Sequence, residues 1–155
     1  MSLSLTSPVT GSAQTGFTSP TYTLVTDVAP DINAKQYIVS ALGGTQTGAT
    51  AHSVSLPFTI SMFRPKVVRP YSANNDTTKF TVNNPINVWK VITRKGGIPY
   101  TGERPTVASL TSAFSIPAGV ETNNIAEVRA MISAHIGALT QMSALLGDSV
   151  NNGTL

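Results

Sequence analysis

The stretch from Val107 to Leu146 reads VASLTSAFSIPAGVETNNIAEVRAMISAHIGALTQMSALL, and its period changes at Pro117. Before the proline, Leu110, Ser112, Phe114 and Ile116 alternate with Val107, Ser109, Thr111 and Ser115. Large apolar groups dominate the first set and hydroxyls the second, the pattern of a strand with one covered face. Pro117, Ala118 and Gly119 stop it, because proline brings no ladder donor and glycine accepts turn dihedrals. Ile125, Val128, Ile132, Ile136 and Leu139 then recur at helical spacing, which predicts an amphipathic helix over about 124–140. Asn124 and Glu127 form a capping-box-like pair, and Glu121 and Glu127 put negative charge at the positive end of the helix dipole. Gly137 marks a thin spot where another backbone approaches or the helix bends. Met142, Leu145 and Leu146 read as a second short helical segment ending at Gly147.

Upstream, strand patterns follow one another at hairpin spacing. Residues 2–19 suggest an N-terminal hairpin built on Leu3, Leu5, Val9 and Phe17. Thr21 to Val28 and Lys35 to Leu42 alternate as strands, the second stopped by Gly43-Gly44 and followed by a polar loop over 45–51. Ser53 to Arg64 places Val54, Leu56, Phe58, Ile60 and Met62 opposite a nearly all-hydroxyl set, with a bulge or an unpaired donor expected at Pro57. Pro70 to Thr78 reads as a loop, Phe80 to Val82 and Ile86 to Thr93 as strand pieces, and Arg94 to Gly102 as exposed loop. The expected fold class is antiparallel α+β. It comprises a single domain over 1–155, with an N-terminal β-hairpin, a sheet of about five strands across 20–117 and two C-terminal helices within 123–147.

Composition narrows the function. Charged residues make up 11% of the chain, against about 25% in ordinary soluble domains. Such a surface fits a subunit mostly buried against copies of itself better than a free monomer. The net charge of +3 is mild, but a shell repeats it in every copy, and many weakly basic subunits together hold a polyanion. There is no cysteine. No apolar run approaches about 18 residues, and Met1-Ser2-Leu3-Ser4 lacks a basic start, so neither a membrane span nor a signal peptide is expected. His52 and His135 are far apart, the acidic residues are scattered without metal-ligand spacing, and Gly43-Gly44 and Gly96-Gly97 lack a phosphate-loop context. No enzyme, cofactor or metal is read here.

Two stretches carry a family resemblance. Phe114-Ser115-Ile116-Pro117, the helix carrying Val128-Arg129, and Met142 to Leu146 resemble the C-terminal part of coat proteins of the small single-stranded RNA bacteriophages, the leviviruses. Phe58-Thr59-Ile60-Ser61-Met62-Phe63-Arg64-Pro65-Lys66 is similar to that family's strand closing on Pro-Lys. The resemblance implies an intertwined homodimer whose sheets join edge to edge and whose helices cover the partner. It further implies an icosahedral shell around single-stranded genomic RNA, assembled in the bacterial host cytoplasm and found in the virion, with no membrane partner. A dimer of the family also represses translation by binding an RNA hairpin.

RNA contacts follow from the same resemblance. Thr59, Ser61, Ser109 and Thr111 match positions on the RNA-facing side of the family's sheet, and short hydroxyls hydrogen-bond phosphates, sugars and base edges. Lys90 and Arg94 join them as candidates if the region 67–105, longer than the family's usual loop, aims them at the genome. That extension, with Trp89 and Tyr100, alternatively enlarges lattice contacts or adds a hairpin. The family's stacking tyrosine falls at Ser109 and a basic residue at Ser61, so RNA recognition here has to be built differently. A solvated sheet face would show the same hydroxyls. Two other readings stay open: a β-rich tail or fibre subunit of a phage without RNA, and a free RNA-binding regulator.

Overall fold

Six strands follow one another in chain order across one antiparallel sheet. They are β1 (Val9–Thr10), β2 (Phe17–Asp27), β3 (Ala34–Gln46), β4 (Phe58–Phe63), β5 (Ile86–Gly97) and β6 (Thr106–Pro117). The computed structural model describes residues 3–71 and 84–154. Residues 72–78 of the expected loop and the strand piece Phe80 to Val82 lie outside them.

Alternation sorts the side chains as the sequence suggests. Leu24, Val39, Met62 and Ile116 are buried on one face, which Ile60, Val91, Trp89 and Phe114 share by register. Tyr22 meets Phe58 edge-on at 5.7 Å between ring centroids, and the Lys95 ammonium lies 5.0 Å above the Phe58 ring. Burial there pulls the Lys95 pKa below its ordinary value.

Several boundaries differ from the sequence reading. Gly43-Gly44 does not stop β3. The pairs Thr18↔Thr45 and Thr21↔Gly43 leave Ser19 and Pro20 opposite Gly44 alone, a bulge that the strand passes through. Gly44 has φ 71°, and a Cβ there would run into the carbonyl oxygens of Ser19 and Thr18. In β4, the strand begins only at Phe58. Residues 53–56 turn back on themselves, with the Leu56 N–H donating to Ser53 Oγ at 3.0 Å. His52 holds this turn to the sheet, donating its N–H to the Val39 carbonyl at 2.8 Å and accepting from the Phe58 N–H on Nδ1 at 3.0 Å. The largest change lies in 67–105. Ile86 to Thr93 is strand as read, and β5 continues unbroken through Arg94-Lys95-Gly96-Gly97, where the sequence suggests a loop, pairing with β6 over its whole length.

The helical region also divides differently. α1 (Val120–Asn123) is one turn, and α2 (Ile125–Asn152) runs without a break through Gly137 and Gly147. Asn124 stands between the two with φ −141°, and its side chain makes no capping bond. At 28 residues α2 is about 42 Å long. Only Val128 is buried, while Met131, Ile136, Met142 and Leu145 face outward. By length and mean hydropathy, α2 meets the requirement for crossing a membrane. A search for unbroken apolar runs does not see this, because Glu127, Arg129 and His135 interrupt the run.

Two sets of side-chain contacts tie α2 to the strands and the turn at residues 13–15. His135 meets Phe114 of β6 edge-on at 6.2 Å. Farther along, Ser143 donates to the Ala13 carbonyl at 2.9 Å and Asp148 accepts from Thr15 Oγ1 at 2.9 Å. The C-terminal half of the helix thus clasps the turn between β1 and β2.

Candidate nucleic-acid interface

The sheet face opposite the apolar core is built in rows by the strand register. Ile38, Thr59, Arg94 and Ser109 stand side by side across β3, β4, β5 and β6. Gln36, Ser61, Ile92 and Thr111 form the next row, and Ala34, Phe63, Lys90 and Ala113 the third. The structure therefore brings Thr59, Ser61, Lys90, Arg94, Ser109 and Thr111 onto one face. The six come from β4, β5 and β6, and β5 contributes Lys90 and Arg94 because it is a strand and not a loop.

Within the face the six differ in access. Ser109 and Thr111 on β6 are exposed, as is Lys90. Thr59 is buried, and Ser61 is fully enclosed, at 0% exposure. Ser61 Oγ donates to Gln36 Oε1 at 2.8 Å and accepts from Arg94 Nη1 at 3.3 Å. Gln36 in turn donates from Nε2 to Asp27 Oδ2 at 2.8 Å. A line of side chains thus runs from Arg94 on β5 through Ser61 and Gln36 to Asp27 on β2. The Gln36 amide, followed by the Val28 N–H, holds the Asp27 carboxyl below its usual range. A guanidinium carries five N–H donors, and only one direction of the fork is engaged with Ser61, so Arg94 is oriented while keeping donors for an anion.

Sequence reasoning did not reach Gln36 or Asp27. Their signal is a cross-strand register, which pairs Gln36 with both Asp27 and Ser61. Alternation gives the face of a residue but not its neighbour. Trp89 lies on the apolar face next to Phe114 in the register, and Tyr100 is exposed in the turn after β5. Among the described residues no three of His, Asp and Glu gather as a metal site.

No family model and no curated protein matches the chain. Solved structures do. The chain of the "Virus-like particle of Beihai levi-like virus 32" is a distant likeness, 20% identical over 85% of this chain and 81% of that one, with a TM-score of 0.40. The chain of the "Virus-like particle of bacteriophage ESE020" superposes with a TM-score of 0.95 and is 47% identical over 99% of this chain and 100% of that one. Agreement at that level along both entire chains, on a six-stranded sheet followed by C-terminal helices, means that this protein belongs to the levivirus family of coat proteins.

Proposed function

We propose that the chain is a capsid subunit that pairs with a second copy, assembles as dimers into a closed shell, and encloses single-stranded RNA against its hydroxylated sheet face. It is a structural protein and not an enzyme. The observation that carries the reading is the uncovered helix: α2 exposes Met131, Ile136, Met142 and Leu145 on a chain 47% identical, over its whole length, to that of a virus-like particle.

Each side chain of that size contributes roughly 1.5–3 kcal/mol when fully buried, so the helix has a strong drive toward an apolar cover. A partner's sheet supplies one. β6 points the same way: its 12 residues form an outer edge of the sheet, and a long unpaired edge is a template for another strand. Pairing of β6 with β6 about a two-fold axis would extend the sheet across the dimer and set the helices over the partner. It would also bring two copies of Ser109 and Thr111 together on the polar face.

For RNA, Arg94 and Lys90 supply positive charge and Ser109 and Thr111 supply short hydroxyls. Ser61 acts through Arg94, which it orients, while buried Thr59 supports the same row. The test is electron microscopy of the protein expressed alone, together with the absorbance ratio at 260 and 280 nm. Closed isometric particles containing RNA are expected. Soluble dimers, or fibres lacking RNA, would favour a non-capsid subunit instead.

A further inference from the structure

At the end of the polar face, beside the row of Phe63 and Lys90, the surface opens into a cleft of about 500 Å³. Arg64, Lys66, Arg69 and Lys90 line it, four of the ten cationic residues in the chain, and among the described residues no carboxylate does. In a protein this poor in charge, such a concentration in one concavity calls for an anionic occupant. Lys66 is engaged with Asp31 at 2.7 Å, which leaves three cations with no carboxylate partner among the ion pairs of the described residues.

The cleft is built, not merely charged. Two asparagines grip the backbones of its two arginines. Asn87 is 1% exposed, and it accepts from the Arg69 N–H on Oδ1 and donates from Nδ2 to the Arg69 carbonyl, both at 2.9 Å. Asn33 accepts from the Arg64 N–H on its carbonyl at 3.0 Å and donates from Nδ2 to the Arg64 carbonyl at 2.5 Å. Each arginine is fixed through its main chain, so its guanidinium is presented from a set point and little backbone entropy remains to be lost on binding. Between the cations, Phe63, Pro65 and Val88 give the cleft apolar walls. Cations and apolar side chains lining one cleft suit a phosphodiester flanked by a base, since phosphate takes the guanidinium fork and a base takes an apolar or aromatic face.

We infer that the cleft between the Arg64–Arg69 segment and β5 is a second RNA-binding site, which holds a nucleotide of single-stranded RNA by its phosphate and base. The inference rests on the capsid reading above. It extends the RNA track along β5 beyond the rows of Arg94 and Ser109, and Lys90 and Ile92 join the two regions.

The experiment measures affinity of the full unassembled chain for a fluorescent single-stranded oligoribonucleotide across a salt series. Each phosphate contact to a single strand contributes about −0.7 to the slope of log K against log salt. The R64A/R69A variant is expected to flatten that slope by about 0.7, the share of the one phosphate the cleft holds, and R64K/R69K to restore it. Arg129→Ala, on exposed α2 away from the cleft, should leave it unchanged. Because the asparagines hold the backbone, the alanine variants keep the fold, which circular dichroism verifies. An unchanged slope in R64A/R69A, with wild type binding normally, overturns the cleft and leaves the capsid reading intact. Wild type that binds no RNA overturns both. Equal competition by inorganic phosphate and by the oligomer at matched charge would reduce the cleft to a simple anion site and overturn the assignment to a strand.

Discussion

Asn87 shows how much a single amide can hold. Its side chain does for Arg69 what a neighbouring strand would do, pairing with both the N–H and the carbonyl while fully enclosed. Two hydrogen bonds of this kind together contribute about 1–3 kcal/mol. Asn87→Ala is therefore expected to lose about that much stability in denaturant titration, and a surface-like change below about 0.5 kcal/mol would remove Asn87 from this role. The carboxylates of Asp27 and Asp31 give a second prediction. Hydrogen bonding to Gln36 lowers the first pKa below 3.8, and the Lys66 ammonium lowers the second. Their folded pKa values lie below the unfolded ones, so their contribution is present above about pH 4 and fades as pH falls through the folded values. The melting temperature should drop as pH falls below about 4, and a D27N/D31N variant should drop less. Asp27 is exposed and the Asp31 side chain half-buried, and added salt should shrink the difference.

Among the elements, α2 and the β2–β3 bulge separate what a sequence discloses from what it hides. The strand-to-helix change at Pro117, the alternating faces and the apolar stripe of the helix were legible, because each is a repeat in the chain itself. Gly43-Gly44 and Gly96-Gly97 were not. Glycine pairs read as stops, yet here one makes a bulge and the other lets β5 run close to Leu56 and Pro57, where a Cβ on Gly96 would lie 2.6 Å from the Leu56 Cα. Hydroxyls on one face were visible in the sequence, but which of them stand beside Arg94 depended on register, and register depended on those glycines. Gly44→Ala must hold φ near 71° against two carbonyls, and strain of that kind is about 1–3 kcal/mol. A loss in that range is expected in chemical denaturation. Ile136→Ser tests the helix. At 53% exposure in one chain, a free surface residue would tolerate the change within about 0.5 kcal/mol. If a partner covers it, particles should fail to form, as size-exclusion chromatography will show.

At the scale of the molecule, the distribution of apolar surface decides the behaviour. The sheet buries Leu24, Val39 and Met62 within one chain, while the helix leaves most of its apolar side chains to the outside. A lone chain is thus half satisfied, and its stability is tied to the concentration of its copies. The clasp of α2 on the turn at Ala13 and Thr15 adds a temporal side to this arrangement. The contacts join residues 130 and 133 positions apart, so a hairpin made early is secured by a helical turn made much later. During synthesis the hairpin waits unfastened until Ser143 and Asp148 have emerged. A nascent chain cannot close this clasp before then.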